Sequence, residues 1–218
     1  MIIKAIVFDF DGVILDSEPL HLSTYQEVFA TLGVTLTRED YYTNLLGYND
    51  YDVFRIVGAQ NGLTWNSGQI AALITQKSGI FDHAVAAGAV LYPGAVACIE
   101  RLAAAFPLGI ASGAFRHEIE TVLRGAGLLH HFQFIVGAGE TPNSKPAPDP
   151  YLRAAELHGL PPSACMAIED SRWGIESAKA AGMKCVGITN TYPATELTAA
   201  DRVIGSLDEF TEDLIRRL

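Results

Sequence analysis

The spacing of apolar and polar residues divides the chain into a short strand, a long helical stretch, and an alternation of strands and helices. Ile6–Phe8 is a β-branched and aromatic run of the kind buried on both faces of a parallel sheet. Ser17 can cap a helix that begins near Glu18-Pro19, with Leu22, Tyr25, Val28, Phe29 and Leu32 at helical spacing and Gly33 as its stop. Helical patterns follow from Thr37 to about Leu46, from Asp50 to Asn61 and from Ser67 to about Phe81, with Gly47-Tyr48-Asn49-Asp50 as a loop. No strand pattern occurs between Ser17 and about Val85.

From Pro93 the pattern alternates. Helices are predicted at Gly94–Phe106, Arg116–Ala126, Pro150–His158, Ser171–Ala181 and Leu207–Arg217. Strands are predicted at Leu108–Ala111, Phe134–Val136, Met166–Ile168, Lys184–Ile188 and Val203-Ile204. Strands separated by helices imply an α/β fold, a Rossmann-like parallel sheet with helices on both faces. The wholly helical block does not fit a βαβ unit and is expected to be an inserted α-helical domain, a lid over the strand ends. The expected division is a core of residues 1–16 and 88–218 and an insertion of residues 17–87. Hinges are expected near Leu15–Ser17 and Ala87–Tyr92.

Composition narrows the class. The 218 residues, 49% hydrophobic and 18% charged, suit one globular domain with an insertion. A net charge of −10 argues against a nucleic-acid surface or an anionic membrane. Cys98, Cys165 and Cys185 form no CxxC and read as core residues in a reducing compartment. His130-His131 lack partners at zinc-ligand spacing. Asp9 and Asp11 interrupt any signal-peptide pattern, and the Ala-rich stretch 84–99 is broken by Pro93-Gly94. A cytoplasmic monomer is expected.

Four polar features fall at or just after predicted strand ends: Asp9 with Asp11, Ser112-Gly113, Lys145, and Glu169-Asp170. Strand ends share one edge of a parallel sheet, where α/β proteins bind ligands. An aspartate there can attack phosphorus. Clustered carboxylates suit Mg²⁺. Ser112 offers a hydroxyl, Gly113 an accessible N–H, and Lys145 a point charge for phosphate oxygens. Together they match phosphoryl transfer, which depends on positioning and charge neutralisation. Each also has a plainer reading: Ser112-Gly113 as a turn, Lys145 as a solvated loop residue, Glu169-Asp170-Ser171 as a helix cap.

FDFDGV at 8–13, ASG at 111–113, SKPAPDPY at 144–151 and IEDSRWGIESAKAAGM at 168–183 resemble the four motifs of the haloacid-dehalogenase-like (HAD) hydrolase superfamily. The likeness spans essentially the whole chain. It is nearest in pattern to β-phosphoglucomutase-like and phosphoglycolate-phosphatase-like members with a small α-helical cap. The resemblance implies Asp9 as the nucleophile and Asp11 as general acid and then base. It implies Ser112, Gly113 and Lys145 as phosphoryl contacts. It implies Mg²⁺ held by Asp9, the Asp11 carbonyl, Asp170 and, directly or through water, Glu169. It also implies phosphate-monoester chemistry, because dehalogenases and phosphonate hydrolases of the superfamily lack the second aspartate. His21 and Lys77 match cap positions that reach the substrate in related members. Arg116, four residues after Ser112, is a further candidate for phosphate contact.

One departure concerns the cap loop. β-Phosphoglucomutases carry an arginine after the loop glycine to hold a second phosphate, whereas here Gly47 is followed by Tyr48, Asn49 and Asp50. That disfavours a bisphosphate intermediate. The expected function is Mg²⁺-dependent hydrolysis of a small phosphorylated metabolite, of sugar-phosphate or phosphoglycolate type. The alternatives are a phosphomutase and, from another class, a phospho-acceptor signalling module.

Overall fold

The structure is a computed structural model that describes residues 2–88 and 90–218. It divides into two compact units, Met1–Asp16 with Ala89–Leu218, and Ser17–Gly88.

In the first unit, six strands among the described residues form one sheet: β1 (Ala5–Phe8), β2 (Leu108–Ala111), β3 (Phe132–Val136), β4 (Cys165–Glu169), β5 (Lys184–Ile188) and β6 (Arg202–Ile204). Their spatial order is β3-β2-β1-β4-β5-β6, and every pairing is parallel. Strands β1, β2 and β4 are buried along their whole length, as their unbroken apolar runs require. Phe8 meets Phe132 and Phe210 edge-on at 6.0 and 6.1 Å. The chain leaves β1 toward β2 and β3, then returns to β1's other side as β4. That reversal opens a crevice beyond the carboxyl ends of β1, β2 and β4.

The second unit is helical: α1 (Glu18–Thr31), the single turn α2 (Arg38–Asp40) followed by a π-helix (Tyr41–Leu45), α3 (Asp50–Gln60) and α4 (Ser67–Gly88). Its core includes Leu22, Tyr25, Val28, Phe29, Phe54 and Ile70. The first unit carries α5 (Ala95–Ala103), α6 (Arg116–Gly125), α7 (Asp149–His158), α8 (Arg172–Ala180) and α9 (Glu212–Arg217).

Several elements differ from expectation. Ser17 sits in helical geometry and its side chain makes no capping bond. The Thr37 helix is a capped turn that widens into the π-helix, with Tyr41 and Leu45 both buried. α4 continues past Phe81 because buried Val85 prolongs its apolar face. The last expected helix is divided by buried Phe210, and Thr211 caps α9 anew. The segments expected as hinges run side by side: Asp16 N–H donates to Val90 O (2.9 Å) and Tyr92 N–H to Ile14 O (2.9 Å). Ala89, in the second expected hinge, lies outside the described residues. No helix among the described residues is long and apolar enough to cross a membrane.

Candidate active site

Strand register brings the acids together. Phe8 pairs with Ile168 on one side and Ile110 on the other. Asp9 is therefore level with Glu169, the last residue of β4, and Asp170 and Ser112 lie one residue beyond that line. Lys145 arrives from the loop between β3 and α7. Its Nζ lies 3.0 Å from Asp9 Oδ1 and 2.6 Å from Glu169 Oε1. Ser112 N–H bonds Val136 O at 2.9 Å, while its Oγ accepts the Ala114 N–H at 3.1 Å. A cavity of about 180 Å³ is lined by Ser112, Gly113, Gly137, Thr141, Ser144 and Lys145, among others.

Three carboxylates crowd this edge. Asp9, Glu169 and Asp170 are all buried, and an oxygen of each lies within 4.8 Å of the others. Burial, reinforced by the neighbouring Glu169 charge, pushes the Asp9 carboxyl up to about 7 although Lys145 opposes the shift. Burial, with Glu169 and Asp9 beside it, likewise pushes Asp170 well above the carboxylate range. Burial alone would favour a neutral Lys145, but Asp9 and Glu169 outweigh it and keep the ammonium charged. Asp11 is half-buried in the turn after β1, near enough to add to the Asp9 shift.

Such crowding fits a cation. Oxygen-only donors in this number suit Mg²⁺, and a cation would reverse the upward shifts of Asp9 and Asp170. The backbone is shaped for the same group. Gly12 has φ +73°, and a Cβ there would fall 1.8 Å from Asp170 Oδ2. Asn190 Nδ2 holds the Gly12 carbonyl at 2.8 Å, which steadies the turn bearing Asp11. Asp9, Glu169, Asp170 and the turn at Asp11 are the residues that could hold the ion.

The other candidates fall elsewhere. Within the helical unit, Lys77 Nζ contacts His21 Nδ1 at 3.0 Å and Asp50 Oδ1 at 2.9 Å, and the Tyr25 hydroxyl donates to the same Asp50 oxygen. Burial, then the Lys77 charge, brings His21 down to about 3, so the ring is neutral. Because Nδ1 faces an ammonium, its proton sits on Nε2. Lys77 is buried rather than solvated, and its charge is balanced by Asp50. Arg116 is committed to Glu140 (2.6 Å) and to the Ile135 carbonyl, not to the Ser112 turn.

Sequence reasoning passed over Tyr151, Asp50 and Tyr25 as site residues. Tyr151 is fully buried and its hydroxyl donates to Glu169 Oε1 at 2.7 Å. Its place inside SKPAPDPY was the available signal. The pairing of Asp50 with Lys77, 27 positions away, has no local pattern.

The chain belongs to the haloacid dehalogenase-like hydrolases: the model of that family matches residues 3–182, which contain Asp9, Asp11, Lys145, Glu169 and Asp170. It is therefore an enzyme of hydrolase type. Among its relatives is Protein CbbY of Rhodobacter capsulatus, 33% identical over 228 residues with both chains covered completely. Hexitol phosphatase B of Escherichia coli (strain K12) is 33% identical over 224 residues, covering 98% of this chain and 97% of its own. Among solved structures, CbbY from Rhodobacter sphaeroides in complex with phosphate matches with a TM-score of 0.84 at 28% identity, covering 100% of each chain.

Proposed function

We propose that this protein is a Mg²⁺-dependent phosphatase that releases phosphate from a small phosphorylated metabolite, of sugar- or polyol-phosphate type. The convergence of Asp9, Lys145, Glu169 and Asp170 at one sheet edge carries this reading. The names of the relatives support the phosphate ester as the bond cleaved.

In this reading an Asp9 carboxylate oxygen attacks phosphorus and the ester P–O bond breaks. The departing alkoxide takes the proton of the Asp11 carboxyl. Asp11, now ionised, removes a proton from water as that water attacks phosphorus. The acyl-phosphate P–O bond then breaks, which regenerates Asp9 and frees inorganic phosphate. Ser112, the Gly113 N–H and Lys145 hold the phosphoryl oxygens throughout, as donors already in place before charge develops. Asp9, Asp170, Glu169 and the turn at Asp11 would hold Mg²⁺, which would neutralise the crowded negative charge. Selection among alcohols is assigned to His21 and Lys77. Arg116 is not included, since Glu140 occupies it.

The test uses p-nitrophenyl phosphate. Asp9→Asn and, separately, EDTA treatment of the parent are expected to abolish turnover. Acid-quenched parent enzyme should retain label from a ³²P-labelled acyl phosphate, and Asp9→Asn should not. Full activity in Asp9→Asn or in EDTA would refute the reading.

A further inference from the structure

Glu169 Oε1 receives two donors at once: Lys145 Nζ at 2.6 Å and the Tyr151 hydroxyl at 2.7 Å. Its other oxygen takes the longer Ser171 Oγ contact at 3.3 Å. The carboxylate is wholly shut from solvent, and α8 presses on it so closely that a Cβ at Gly174 would fall 1.9 Å from Oε1.

Lys145 has three N–H bonds to distribute. One is directed at Asp9 and one at Glu169, and the side chain also lines the cavity of Ser112 and Gly113. A buried carboxylate oxygen that loses a donor takes another if one is in reach. The donor that would remain on Glu169 Oε1 is Lys145. Without the tyrosine hydroxyl, the ammonium would turn further toward Glu169 and away from both Asp9 and the cavity.

We propose that Tyr151 is a positioning residue: by donating to Glu169 it sets how Lys145 is shared between Glu169 and Asp9, and so keeps an N–H for the phosphoryl group. This rests on the phosphatase reading above. The ring itself is not the working part. Lys145 Nζ stands 5.1 Å over the Tyr151 ring centroid, and a phenylalanine keeps that contact and the packing.

The experiment compares the parent with Tyr151→Phe in magnesium-containing buffer. Inorganic phosphate binding is followed by calorimetry, p-nitrophenyl phosphate turnover by steady-state kinetics, and folding by thermal denaturation. Tyr151→Phe is expected to raise the phosphate Kd and to lower kcat by about tenfold each, the scale of one charge-assisted hydrogen bond. A merely structural tyrosine would lower the Tm and leave the phosphate Kd and kcat at the parent's values; that result overturns the assignment. A second measurement needs no substitution. With tyrosines ¹³C-labelled at the ζ carbon, saturating phosphate should shift a tyrosine resonance, and a spectrum in which none moves also overturns it. A parent protein that neither binds phosphate nor cleaves the ester would overturn the phosphatase reading itself. A parent that does both, matched by Tyr151→Phe, would overturn the role of Tyr151 alone.

Discussion

Asp9 stores a pH-dependent strain in the metal-free protein. Its carboxyl moves from 3.8 to about 7, first through burial and then through Glu169, with Lys145 opposing. A carboxyl whose folded pKa is raised binds more protons folded than unfolded. The Asp9 contribution to stability is therefore fullest below pH 3.8, falls as pH rises through the interval, and levels off above about 7. At about 1.4 kcal/mol per pH unit, the two units between pH 5 and pH 7 correspond to roughly 2–3 kcal/mol of lost stability. The side chain is 10% exposed, so water screens little of this. Asp9→Asn abolishes the titration. It also removes one cause of the Asp170 shift, which acts in the same direction. The assay is thermal denaturation in EDTA from pH 5 to pH 8. The Lys145 ion pair that the variant forfeits forms only as Asp9 ionises, and its opposing effect is already contained in the value of about 7. Measured against the parent, Asp9→Asn should gain roughly 4–12 °C in Tm across the range, at about 2–4 °C per kcal/mol for a chain of this size. Mg²⁺ should raise the parent's Tm more at pH 8 than at pH 5. Parallel Tm curves for parent and variant would refute the account of the site as crowded acids awaiting a cation.

Gly12→Ala puts a methyl 1.8 Å from Asp170 Oδ2 at φ +73°, so kcat should fall at least about tenfold and the Mg²⁺ concentration for half-activation should rise, read from magnesium titrations of activity. Asp201 tests a structural pair instead. Burial alone would raise its pKa, but Lys179, the Cys185 N–H and Lys184 outweigh it and bring it to about 2. This stability is present above pH 3.8 and lost as pH falls through about 2. Because both lysines are about a third exposed, Asp201→Asn should cost about 1 kcal/mol near neutrality, a Tm loss of roughly 2–4 °C that fades at the acid end.

The difference between what was and was not legible follows from range. Ile6–Phe8 and Met166–Ile168 announce buried parallel strands because period and composition act within a few residues, and the structure extends them only to Ala5–Phe8 and Cys165–Glu169. The same locality explains the misplaced helix details. Whether Ser17 caps, whether residues 41–45 widen into a π-helix and where α4 stops depend on what each turn packs against, which spacing does not encode.

The sequence by itself determined an α/β sheet with a helical insertion, and which chemical groups stand at the strand ends. Alternation of apolar runs and turn residues is a local code, and polar residues at strand ends are visible in it. Tertiary structure alone decided how those groups are shared. Parallel register placed Asp9 level with Glu169, Lys145 was divided between them, and the Tyr151 hydroxyl reached Glu169 from 18 residues away. Arg116, equally eligible as a cation near Ser112, was taken by Glu140. Hydrogen bonds and ion pairs between distant segments depend on separations of a few tenths of an ångström, and only the packed chain sets those.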